Sequence, residues 1–228
     1  MKAQDRLAFA REATRSGRYE EALREFSWFH DHALDEEEAL YGVRLSYALA
    51  YWRELGEVHP PALDALKAVR DQKSVTLARG EGNRELFHDV ESINECLNDQ
   101  QSTYQLFLRL LDVSPNSANA CSDLALPSIV RAKDFALART LIGDPESNVL
   151  KWSRELNRDI EDLARKPPRK APAREAYVHV YAARVGMLLS ILNGVREPAL
   201  ADSVRSNAMA SINDGGVRAE VEIALTNG

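Results

Sequence analysis

Apolar residues recur along most of this chain at three- and four-residue steps, the spacing that gathers side chains on one side of an α-helix. Leu7, Ala8, Ala10 and Ala13 supply the packed side of a first helix from about Gln4 to Arg15, and Tyr19, Leu23, Phe26 and Phe29 make the stripe of a second. Between them Ser16-Gly17-Arg18 interrupts the pattern, and Gly17 permits a sharp turn because it carries no Cβ. Two stripes joined by so short a turn predict a helical hairpin, with Tyr19 wedged between the helices and Ala22 small enough to let their backbones approach.

The alternation of stripe and break continues. Asp35-Glu36-Glu37-Glu38 reads as an acidic binding patch or as the first turn of a third helix; the second reading is preferred because acids stabilise a helix start through its dipole. That helix carries Leu40, Tyr41, Leu45, Leu49 and Trp52 and stops near Gly56, and Pro60-Pro61 suits the start of the next, with Leu63, Leu66 and Val69 on its buried side. Gly80-Glu81-Gly82-Asn83 is a further break. It is no phosphate loop, since no strand precedes it and neither a third glycine nor Gly-Lys-Ser/Thr follows. Leu86, Val90, Ile93 and Leu97 then make a helix ending near Asn98-Asp99, and Tyr104, Phe107, Leu108 and Leu111 its partner up to Pro115. A fourth hairpin starts near Ser117 with Leu124, Leu126 and Val130, where Pro127 should kink or shorten the helix. It turns at Lys133-Asp134 and returns through Phe135, Ala138 and Leu141.

Trp152, Leu156, Ile160 and Leu163 predict a helix after Asp144-Pro145 that caps the preceding hairpins. Lys166-Pro167-Pro168-Arg169-Lys170-Ala171-Pro172 cannot continue it and reads as an extended connection. Tyr177 to Leu192 is a strongly apolar helix. Its run from 185 to 192 is too short to span a membrane and reads as a core segment, with a self-association surface as the alternative. A helix from Pro198 to Ile212 follows, and the tail after Asp214-Gly215-Gly216 is unassigned. The expected organisation is a helical-repeat domain over 1–164, a basic proline-rich linker over 165–175 and a C-terminal helical segment over 176–228.

Residues 16 to 26, Ser-Gly-Arg-Tyr-Glu-Glu-Ala-Leu-Arg-Glu-Phe, resemble the turn and second helix of a tetratricopeptide repeat, which commonly reads Gly-x-Tyr-x-x-Ala with an aromatic four residues later. Matching Ala22 to about Ala62, Thr103 and Ala138 extends the resemblance over roughly residues 4 to 145 as an irregular array, with spacings of about forty, forty and the mid-thirties against a family period of roughly 34 residues. The resemblance implies an all-α fold, a right-handed α-α superhelix with additional C-terminal helices. It also implies a concave surface, lined by the first helix of each hairpin, that accepts an extended peptide or a partner helix. Mapped onto this sequence, the groove candidates are Arg11, Arg15, Tyr47, Arg53, His88, Glu95 and Arg131. The arginines suit carboxylates, with a solvated charged surface as the alternative for any one of them.

The 228 residues, 45% hydrophobic and 28% charged, are enough to bury a core, and the scarcity of alternating Val/Ile/Thr runs favours helix throughout. A formal charge of −6 disfavours nucleic acid as a partner, although Arg165, Lys166, Arg169, Lys170 and Arg174 form a local basic strip. The first residues lack the apolar core of a secretory signal and no long apolar run follows, so the expectation is a soluble cytoplasmic protein away from membranes. Cys96 and Cys121 show neither CxxC spacing nor the density of a disulfide scaffold and read as reduced packing residues.

Catalytic chemistry finds little support. His30 and His32 flank Asp31, and two residues on a helix point well apart, so they read as solvated or partly packed rather than as metal ligands. His59 and His179 have no ligand motif near them. His88, Ser92 and Glu95 fall on one helical side, as groove lining or as a general acid/base pair, and the polar-face reading is preferred. No Gly-x-Ser-x-Gly elbow or catalytic cysteine setting is present. The leading expectation is therefore a non-enzymatic adaptor, without cofactor or metal, that binds a peptide or protein segment. The alternatives are a bacterial immunity-type protein occluding a toxin, a hydrolase using the His88/Glu95 face, and a self-assembling homo-oligomer.

Overall fold

The computed structural model describes residues 1–165 and 172–227. Among them are thirteen α-helices, one 3-10 turn and no strand, so the chain is all-α. Most of the expected basic linker, residues 166–171, lies outside the described residues. No helix described is long and apolar enough to cross a membrane. Contacts divide the chain into two compact units, Met1–Ser128 and Ile129–Gly228, earlier than the expected boundary at 164.

The first unit holds α1 (Ala3–Arg15), α2 (Tyr19–Glu36), α3 (Tyr41–Leu45), α4 (Tyr47–Val58), α5 (Pro60–Ala78), α6 (Arg84–Cys96) and α7 (Gln100–Val113), and α8 (Pro115–Arg131) runs across the division. α1 packs on α2, α4 on α5 and α6 on α7, and α2 and α5 also pack on the first helix of the following pair. This order is compatible with a helical repeat. One cluster, built on Ala10, Ala13, Ala22, Phe26, Leu49, Trp52, Leu55, Ala62, Leu66 and Ile93, joins the first three pairs. Trp52 keeps its indole satisfied there by donating to the Ala62 carbonyl at 2.8 Å.

Several local expectations change. The acidic run does not start a helix: Asp35 and Glu36 end α2, and Glu38 opens a 3-10 turn to Leu40. An acid still serves a helix start, but across space, because the Glu36 carboxylate accepts from the Ala3 N–H of α1 at 2.8 Å. The expected third helix breaks at Ser46 (φ −126°, ψ −89°) into α3 and α4. Gly56 does not stop α4 but lies inside it, where a Cβ would stand 2.9 Å from that of Leu63, so its smallness sets the close approach of α4 and α5. α8 continues unbroken through Pro127. Pro127 and Asp123 are both exposed, so the i−4 carbonyl that loses its donor faces water. In α7 the buried stripe is Thr103, Leu106, Phe107 and Leu110, offset from the expected one, and Phe87 joins the core of α6.

One turn recurs. At Gly17, Asn98, Lys133 and Arg196 the backbone takes a positive φ of 75°, 56°, 61° and 64°. In each case the next N–H bonds back five residues: Arg18 to Ala13 (2.8 Å), Asp99 to Asn94 (2.7 Å), Asp134 to Ile129 (3.2 Å) and Glu197 to Leu192 (2.8 Å). This is a Schellman-type closure of one helix leading directly into the next. Five residues after the left-handed position comes a small buried side chain, Ala22, Thr103, Ala138 or Ala201. Three of these match the sequence alignment of hairpins; the fourth lies in the C-terminal segment, outside the stretch the resemblance covers.

The second unit holds α9 (Phe135–Leu141), α10 (Pro145–Arg165), α11 (Pro172–Gly194), α12 (Pro198–Ala210) and α13 (Gly215–Asn227), the last filling the unassigned tail. α11 is central, packing on α9, α10, α12 and α13. Val185, Leu188 and Leu192 of the apolar run sit in its core with Val149, Leu156, Val204, Val217 and Val221. α10 packs on α11 and α12.

Candidate functional site

The first helices of the three leading pairs, α1, α4 and α6, make contact in sequence, with α3 also touching α6. Between α1 and α3–α4 runs a groove of about 300 Å³ lined by Gln4, Leu7, Ala8, Arg11, Leu40, Val43, Tyr47 and Tyr51. The Arg11 guanidinium lies 3.8 Å from the Tyr51 ring centre, and Tyr47 stacks on Tyr51 at 6.5 Å. Arg11 makes no ion pair among the described residues, and Tyr47 is 64% exposed. An aromatic ring thus holds an unneutralised cation in place beside an open aromatic face.

A second groove, about 330 Å³, lies between α3–α4 and α6 and is lined by Leu45, Ser46, Ala50, Arg53, Ser92, Glu95, Cys96 and Asn98. Four expected residues therefore line two neighbouring grooves of the first unit, Arg11 with Tyr47 and Arg53 with Glu95. The others are placed differently. Arg15 is exposed at the end of α1, 3.9 Å from Glu12. Arg131 ends α8 on the surface and belongs to the second unit. His88 is half-buried with Nδ1 2.9 Å from the Tyr41 hydroxyl, and burial together with Arg84 lowers its pKa. Ser92 is buried and donates to Glu91 at 3.4 Å, while Glu95 points into the groove. His88, Ser92 and Glu95 thus make no hydrogen bonds to one another. Tyr51 was absent from the sequence reading, although its i+4 spacing from Tyr47 places it directly beneath that residue.

Burial raises the Glu91 carboxyl, the Glu95 charge adds to the effect, and the Ser92 hydrogen bond only partly offsets them, leaving it at about 7. A deeper charged cluster lies beneath the face. Asp89 of α6 pairs with Arg44 of α3 and with Lys73 of α5, and Lys73 Nζ lies 3.1 Å and Arg44 Nη1 3.5 Å from His30 Nε2 on α2. Burial raises Asp89, but the hydrogen bonds and charges of Arg44 and Lys73 outweigh it and its pKa is lowered. Burial and the two cations drive His30 down to about 3, so it stays neutral and accepts through Nε2. His30, read from sequence as solvated or partly packed, is 4% exposed. None of these four side chains lines either groove, and their mutual contacts join α2, α3, α5 and α6. No group of three or more His, Cys, Asp or Glu among the described residues is arranged to hold a metal ion.

Comparison with protein-family models, curated proteins and solved structures returns no match for this chain.

Proposed function

We propose that this chain is a non-enzymatic recognition module, a tetratricopeptide-like right-handed superhelix that holds a peptide or protein segment against the face formed by α1, α4 and α6. The observation carrying this reading is the Arg11–Tyr51–Tyr47 arrangement: a stacked, unneutralised guanidinium beside an exposed tyrosine, above an apolar floor of Leu7, Leu40 and Val43. Tyrosine and arginine carry a disproportionate share of binding energy at protein interfaces, because they bring large contact area at low entropic cost. Arg53 and Glu95 extend the same face with charges of both signs. Against catalysis stands the engagement of His88 by Tyr41, which leaves Glu95 without a hydrogen-bonded partner base.

The test is affinity capture from native cell extract, comparing the wild type with Arg11→Glu/Tyr47→Ala/Arg53→Glu, with bound proteins identified by mass spectrometry. The expected result is loss of a specific partner from the triple variant while its helical circular dichroism is unchanged. An identical set of captured proteins from both forms sinks the reading.

A further inference from the structure

A third cavity, about 350 Å³, lies at the corner where the C-terminal half of α4, the first half of α5 and the α6–α7 turn meet. It is lined by Arg53, Gly56, Glu57, Leu63, Lys67, Arg70, Leu97, Asn98 and Asp99. Its charges fall into two groups. Arg70 donates to Asn94 at 3.0 Å and to Asp99 at 2.9 Å, and Asp99 also accepts from the Ser102 hydroxyl at 2.7 Å, so these form a neutralised wall that fixes the turn. Arg53 and Lys67 make no hydrogen bond or ion pair among the described residues. Leu63, Leu97 and Gly56 complete the lining, and at Gly56 a side chain would collide with Leu63. Of the charged linings, only Glu57 opposes a negative ligand without being paired.

In the second unit the charges around a groove are matched. The α10–α11 groove, with Trp152, Tyr177 and Val180, pairs Arg184 with Glu155 at 3.0 Å and Arg158 with Asp159 at 3.5 Å. The α4–α5 corner differs in holding two unpaired cations of different reach beside an apolar wall. A guanidinium offers a planar fork of donors and an ammonium a mobile point charge, and together they suit an anionic head, while the leucines suit an apolar body.

We propose that this corner is a binding site for a small amphipathic organic anion, an aryl or alkyl group carrying a carboxylate or sulfonate, with the head on Arg53 and Lys67 and the body against Leu63 and Leu97. The site is separate from the α1–α4 groove, and Lys67 takes no part in the face proposed for protein recognition.

The probe is 8-anilinonaphthalene-1-sulfonate, titrated by fluorescence into the full-length folded chain at low ionic strength, with octanoate as a displacing alkyl carboxylate. The expected result is saturable one-to-one binding displaced by octanoate. Lys67→Gln and Arg53→Gln should each weaken it by about tenfold, as loss of a charge-assisted hydrogen bond does, and Glu57→Gln should tighten it. Circular dichroism and thermal melts of each variant verify that the fold is kept. Absence of saturable binding, or equal affinity in the Arg53→Gln/Lys67→Gln double variant, overturns the proposal. Lys67→Gln also separates the two readings, since it should weaken the anion's binding about tenfold while leaving protein capture unchanged.

Discussion

The two compact units solve the problem of a small helical core in different ways. Met1–Ser128 buries large aromatics, among them Phe26, Phe29, Trp52, Phe87 and Phe107, and threads ionised side chains through them: Arg44 and Asp89 are 6% and 5% exposed. Ile129–Gly228 packs Val, Leu and Ala around α11, and the polar group at its centre is the Tyr181 hydroxyl, which pairs with Ser153 at 2.8 Å and donates to the Ala208 carbonyl at 2.9 Å. A buried ion set is costly to desolvate and gains little net stability, but it penalises every arrangement that separates its members. The first unit therefore ties the positions of α2, α3, α5 and α6 to one another more strictly than aliphatic packing alone does, beneath the face that carries Arg11, Tyr47 and Arg53.

The largest expected effect comes from breaking that set on one side. Asp89→Ala leaves buried Arg44 and half-buried Lys73 without their anion and should cost about 3–5 kcal/mol, read as a lowered denaturation midpoint. Tyr181→Phe, its counterpart in the second unit, leaves Ser153 and a carbonyl unsatisfied and should cost about 1–2 kcal/mol. Equal losses for the two variants would erase the contrast.

Acid separates the units next. His30 has a folded pKa of about 3 against 6.5 unfolded, so between those values the unfolded chain binds the extra proton and stability falls as pH drops, by on the order of 4 kcal/mol over the whole window. Glu91 acts in the opposite sense. Its folded pKa of about 7 against 4.5 means the folded chain binds the extra proton, so stability rises as pH drops through that range. From pH 6.5 to 4.5 the two nearly cancel and the wild-type profile should be flat, with the loss appearing below 4.5, where Asp89 adds to it as its carboxylate protonates. Glu91→Gln should expose the His30 slope from 6.5 downward, seen in chemical denaturation at a series of pH values.

A smaller effect of the opposite sign is expected at the recurring turn. Lys133 and Arg196 occupy left-handed backbone where glycine is at ease, so Arg196→Gly should stabilise the second unit by up to about 1 kcal/mol, measured by thermal melting. Gly17→Ala in the first unit should lose a similar amount. The smallest effect is expected for Arg15→Glu, on the exposed end of α1, within about 0.5 kcal/mol of wild type.

These turns also show where the sequence is legible. Gly17, which has no side chain, and Asn98, whose short polar side chain tolerates it, announce a left-handed residue, whereas Lys133 and Arg196 do not, and the α11–α12 turn is visible only through its backbone hydrogen bonds. Arg11, Tyr47, Arg53 and Glu95 line grooves on first helices, where helix order places them. His88 turned inward because Tyr41, 47 residues away, supplies a hydroxyl that no local pattern reveals.

The sequence by itself determined the helices, most of their breaks, and the small residues at which paired helices meet, because these depend on side-chain periodicity and on local backbone preference. Tertiary structure alone decided that Glu36 would serve the start of α1, that His30, Arg44, Lys73 and Asp89 would meet, and that Arg53 and Lys67 would share a cavity without forming an ion pair. Each of those outcomes depends on which distant side chain supplies or withholds a charge, and a linear pattern of apolar and polar positions carries no record of that.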